Sequence, residues 1–110
     1  MARRTLRAMA HFAVRLVHGP GWDSSRHIRE QDAWDEHAAF MEALADEGFI
    51  LFGGPVGEDR VMHVVVAESE GLILERLRAD PWEPMGLLRN VSVERWRVLL
   101  GKHRLPITGD

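Results

Sequence analysis

From His11 to His18 the chain alternates. Phe12, Val14 and Leu16 fall on one side and His11, Ala13, Arg15 and Val17 on the other, a period of two that predicts a strand. Gly19-Pro20-Gly21 ends it. From about Glu30 to Glu47 the period changes, because Trp34, His37, Ala38, Met41, Leu44 and Ala45 recur at the three- and four-residue steps of one helix face. Ser24 and Ser25 are turn or capping candidates ahead of this helix, and Gly48 is placed to be its C-terminal cap. Phe49-Ile50-Leu51-Phe52 is a short apolar run bounded by glycines, which predicts a buried strand stopping at a tight turn, Gly53-Gly54-Pro55. Val56 to Asp59 connects it to a valine-rich third strand, Arg60 to Ala67. Ser69 is the expected cap of a second helix reaching about Ala79, with Ile73, Leu77 and Asp80 turned inward and Pro81 ending it. Leu88 to Leu100 is the last expected strand. Its apolar phase moves from Val91 and Val93 to Trp96, Val98 and Leu100, which predicts a bulge near Glu94-Arg95.

The order is β-α-β-β-α-β, an α+β pattern of the ferredoxin-like type, over residues 9–101. Residues 1–8 are expected to be a flexible basic leader, with Met9 a candidate start, and residues 102–110 a polar tail. Two helices can cover only one face of a four-stranded sheet. The other face carries enough apolar residues to need a partner sheet, so a homodimer is expected. With 110 residues and 45% hydrophobic content, the chain is a single small domain that gains from such pairing.

Net charge is −3, and Arg3, Arg4 and Arg7 stand in a leader without acidic residues, so the body is more acidic still. An acidic body is a poor nucleic-acid binder, because phosphate neutralisation needs a clustered basic surface. There is no cysteine, which excludes disulfides, thiolate metal sites and a cysteine nucleophile and fits a reducing cytoplasm. No apolar run reaches the length of a membrane span, so no membrane partner is expected. The six histidines lack the His-x-x-x-His, His-Glu-x-x-His and His-x-His spacings of metal sites, and no metal or other cofactor is expected.

His37 and Asp80 carry the chemical signal. A lone histidine on an apolar helix face is ordinarily a core residue with one satisfied nitrogen, and Asp-Pro is ordinarily a helix stop. Together they place two ionisable groups on inward stripes that face one sheet. Asp80 also closes its helix at the negative end of the macrodipole, so a donor or a cation is expected beside it. Because histidine titrates ordinarily near pH ~6.5, a histidine oriented by a carboxylate is a general acid/base pair. No Gly-x-Ser-x-Gly elbow supports a nucleophilic triad. The compatible chemistry is proton transfer on a small aromatic or enolisable substrate, with Trp34 and Trp82 as an aromatic wall. The competing reading is a non-catalytic dimeric ligand-binding or accessory module in which the pair only stabilises the fold.

Three local signatures, taken in order, resemble the YCII-related (YciI-like) family. They are the helix Trp34-Asp35-Glu36-His37-Ala38-Ala39-Phe40-Met41-Glu42-Ala43-Leu44 followed by Gly48, then Gly53-Gly54-Pro55, then Asp80-Pro81-Trp82 with Gly86-Leu87 before the final strand. The match covers about residues 9–100. The resemblance implies a dimeric α/β barrel of ferredoxin-like protomers, with His37 and Asp80 as the active-site pair; Trp34, Gly54, Pro55 and Trp82 are the residues expected around the substrate. Some relatives are dehydrochlorinases of chlorinated hydroxyquinones, so lyase, isomerase or dehydrochlorinase chemistry is the expectation it carries. The chain departs from the family pattern at Trp34, where arginine is frequent, and at Arg95-Trp96, which replaces Pro-Trp.

Overall fold

The computed structural model describes residues 9–106; the basic leader and residues 107–110 of the tail lie outside the described residues. The elements are β1 (Ala10–His18), α1 (Trp34–Asp46), β2 (Ile50–Val56), β3 (Arg60–Ala67), α2 (Glu70–Leu77) and β4 (Leu88–Arg95). The four strands form one antiparallel sheet in the order β2-β3-β1-β4, and the molecule is a small α+β fold. No helix among the described residues is long and apolar enough to cross a membrane.

Register converts the alternation of β1 into two faces. Phe12 lies opposite Val65, Val14 opposite His63 and Leu16 opposite Val61, so these six side chains share the face that the helices cover. Leu44, Ile73, Leu77 and Trp82 close the core over them. Val14, Val65, Ile73 and Trp82 are fully buried, and an aliphatic side chain in that state stabilises the fold by about 1.5–3 kcal/mol. The opposite face holds Arg15, Met62 and Phe52, the last 62% exposed.

Helix ends follow local chemistry. At the C-terminus of α1, Gly48 adopts φ 85; its amide donates to the Ala45 carbonyl and the Phe49 amide to the Leu44 carbonyl, both at 3.0 Å. This is the two-bond termination that glycine permits. Ser69 caps α2 through Leu72 N–H at 3.2 Å.

Several boundaries differ from those the pattern predicts. α1 starts at Trp34 rather than Glu30, because Ile28–Glu30 forms a separate 3-10 turn and Ala33, at φ 59, breaks the path between them. Ser24 and Ser25 lie in a turn, as one of their two expected roles has it, but neither caps α1, since Ala33 holds the cap position and Ser25 is bonded to Asp23 at 2.6 Å. Ala45, assigned to the apolar stripe, is exposed, and α2 ends at Leu77 rather than Ala79. Gly53-Gly54-Pro55 is not a turn: β2 continues through it to Val56, at a sheet edge where a proline without N–H is tolerated. β4 stops at Arg95 rather than Leu100. The exposure of Leu99 and Leu100, at 79% and 91%, shows that alternation there does not report a buried face. The register shift falls at Val91, since Arg15 faces Ser92 and Leu16 faces Asn90, and not near Glu94-Arg95. Within the expected polar tail, Lys102–Arg104 forms a 3-10 turn.

Candidate functional site

α1 and the segment after α2 deliver the two expected residues to one point. His37 sits in the first turn of α1, where Ala33 has set the helix start, and its backbone amide bonds the Ala33 carbonyl at 3.0 Å. Beyond α2, the Asp80 amide donates to the Leu77 carbonyl at 3.1 Å, which turns the aspartate back toward the core. His37 Nδ1 then lies 2.9 Å from each oxygen of the Asp80 carboxylate, although the residues are 43 positions apart. Both side chains are buried. Asp80 Oδ1 also accepts from the Trp82 amide at 2.9 Å, the hydrogen-bonding partner that an inward carboxylate requires. A carboxylate only accepts, so Nδ1 carries a proton and the neutral ring presents an Nε2 lone pair.

That imidazole is held between the carboxylate and an aromatic plane. His37 stacks on Trp82 with ring centroids 3.7 Å apart and planes 5° from parallel, and Trp34 leans on both rings at 5.8 Å. Trp82 is itself fixed by its indole N–H, which donates to the Asp32 carbonyl at 2.7 Å. His37 lines a cavity of about 210 Å³ between α1 and the β2–β3 end of the sheet. Trp34, Gly54, Pro55 and Trp82 line it too, whereas Asp80 stands behind His37 and does not.

Four further residues shape the site and were missed in the sequence. Trp22 and His18 stack on each other at 3.6 Å, and Trp22 meets Trp82 edge-on at 5.7 Å. The loop carrying Trp22 is tied by the buried Gln31, whose side chain accepts from the Asp23 amide and donates to the carbonyls of Asp23 and Arg26. His63 projects from β3 into the cavity. Gly53 makes room for it, because a Cβ there would stand 1.9 Å from His63 Nδ1. The signal for His63 was present in Val61-x-His63-x-Val65, an inward phase with a histidine on it, and the metal-spacing criterion passed it over.

Burial acts on two of the cavity histidines in the same direction. Burial pushes the His63 imidazole down to about 4, with a smaller push from His37, while Asp80 works the other way. Burial also lowers His18, partly offset by the Asp59 carboxylate. No group of three or more His, Asp or Glu among the described residues is placed to hold a metal ion. Among the described residues the lining carries no lysine or arginine. Such a site can hold a small, flat, largely uncharged molecule against tryptophan rings and pass a proton through His37 Nε2. Comparison with protein-family models, with curated proteins and with solved structures finds no match.

Proposed function

We propose that this chain is a YciI-like small-molecule enzyme, with His37 as general acid/base, Asp80 orienting it, and an aromatic or enolisable substrate held against Trp22, Trp34 and Trp82. The observation that carries this reading is the buried His37–Asp80 contact of 2.9 Å with the same imidazole on the wall of a cavity. A purely structural pair is sealed on all sides, whereas here one ring edge faces open space. The reaction class is proton transfer leading to isomerisation, halide elimination or lyase-type loss of a leaving group. The absence of lysine and arginine among the described lining residues supports a substrate without a strongly anionic group.

The same proposal gives the protomer the ferredoxin-like arrangement and pairs its open sheet face with a second copy in a dimeric barrel. The element order and the sheet order β2-β3-β1-β4 support the first part. Phe52, Val56 and Met62 on the uncovered face support the second. Sedimentation showing a monomer at micromolar concentration would remove the barrel.

A second reading, a non-catalytic ligand-binding or accessory module, draws on the depth of burial of both partners, each 7% exposed. The experiment that decides is turnover of a panel of small chlorinated and hydroxylated aromatics by the purified protein. His37→Gln is expected to lower it about 10²–10⁴-fold with the fold retained by circular dichroism. Equal turnover by the variant leaves only the accessory reading.

A further inference from the structure

His63 is a buried polar group on the cavity that the acid/base pair does not use. It is 7% exposed and lines the cavity from the sheet side, facing the α1 wall that carries His37. Its Nδ1 is buried and makes no hydrogen bond among the described residues, packed against the backbone of β2 where Gly53 leaves room. The ring lines the cavity while Nδ1 is sealed, so the Nε2 edge is the one turned to the ligand space. A neutral imidazole carries one N–H. Placing it on Nδ1 would bury a donor with no acceptor, whereas placing it on Nε2 leaves only an unfilled lone pair inside, the less costly orphan.

The geometry points to His63 as a second functional residue: a neutral Nε2–H donor, locked by Gly53, that binds the carbonyl oxygen of a small planar ketone or aldehyde opposite His37. Burial supports the neutral form, since it holds the ring at about 4. A neutral imidazole that polarises a carbonyl while another residue moves the proton is a known division of labour. The assignment rests on the acid/base reading of His37 and deepens it by naming the substrate class, an enolisable carbonyl compound.

The proton balance closes without another reactant. The C–H bond next to the carbonyl breaks and an N–H bond forms at His37 Nε2. The electron pair moves into the new C=C bond and the carbonyl pair onto oxygen, where the His63 N–H holds the developing negative charge. Return of the proton from His37 to carbon restores the carbonyl and the neutral ring. His63 keeps its own proton throughout.

Two measurements on the intact chain test this. In ¹⁵N-labelled protein the His63 imidazole is expected to show the Nε2–H tautomer at pH 7; an Nδ1–H tautomer or a charged ring overturns the assignment, and no variant is needed. In NMR titrations with a shape-matched pair, acetophenone is expected to bind roughly tenfold tighter than α-methylstyrene, which replaces the carbonyl oxygen with CH₂. His63→Phe, or His63→Leu if the larger ring does not fold, is expected to erase that preference and leave α-methylstyrene affinity within about twofold. Equal binding of the pair by the wild type, no binding of either, or a preference that survives loss of His63 overturns the assignment. Deuterium exchange into the acetophenone methyl group reads His37 separately. A His63-dependent preference without His37-dependent exchange keeps the donor and sinks the acid/base reading.

Discussion

His37 on the helix wall and His63 on the sheet floor look into the same cavity and are buried to the same degree, each 7% exposed. Their surroundings are opposite. His37 has a carboxylate 2.9 Å from Nδ1 and an indole plane beneath its ring. His63 has no hydrogen-bond partner at Nδ1 among the described residues and is driven toward the neutral form by desolvation. Burial by itself therefore does not assign a role to a histidine. What decides it is the group fixed at the nitrogen that faces away from the cavity, because that group selects the tautomer and the charge that the other nitrogen presents.

The largest expected effect that sharpens this contrast is in acid. In the folded state the His63 ring takes up its second proton only below about pH 4, against an ordinary value of 6.5 in the unfolded chain. Between those values the unfolded state binds more protons, so stability is fully present above pH 6.5 and falls as the pH drops toward 4. The contribution is about 3 kcal/mol over the whole window. Denaturant unfolding at pH 7 and pH 4 is expected to show His63→Gln losing less stability on acidification than the wild type by about that amount. An equal loss would mean that His63 is not held neutral and would erase the contrast with His37.

On the other wall, Asp80→Asn keeps the shape but removes the charge from the bond to His37. Stability at pH 7 is expected to fall by about 1.5–3 kcal/mol, the strength of a charge-assisted hydrogen bond. The acid/base reading also requires turnover to fall. A stability loss of this size with unchanged turnover on an identified substrate would make the pair structural and leave His63 as the only chemically assigned histidine in the cavity.

Gly53→Ala tests the floor without touching the wall. Its Cβ would stand 1.9 Å from His63 Nδ1 and 2.7 Å from the Met62 carbonyl oxygen, so the ring or β2 must move. The expected cost is about 1–3 kcal/mol by thermal or chemical denaturation, with the His37 resonances unchanged. A fully stable variant with His63 in place would show that glycine is not what seats the ring.

Much of the frame was legible because it rests on local rules. The Gly48 termination and the Ser69 cap each depend on a few neighbouring residues, and both are seen in the structure; β1 is a strand whose first five residues are all buried, and of the α1 stripe His37 and Leu44 are buried while Ala45 is exposed. The inward turn of Asp80 was readable in the same way, from its spacing after Ile73 and Leu77. The errors arose where a local signal had two meanings. Gly53-Gly54-Pro55 carries turn chemistry, but at a sheet edge a proline breaks no ladder bond, and Gly53 is present for what lies across from it on β3. Trp96, Val98 and Leu100 keep an apolar rhythm, yet Trp96 and Leu100 are exposed.

By itself, the sequence determined the kinds and order of the elements, the inward placement of His37 and Asp80, and the lack of cysteine chemistry, since periodicity and composition belong to the chain alone. Only the tertiary structure decided that His63, His18 and Trp22 join His37 around one cavity, that Asp80 engages Nδ1 rather than Nε2, and that Gly53 seats His63. Those facts depend on which strands are neighbours and in what register. Both are set by packing among residues far apart in the chain, and no local period encodes them.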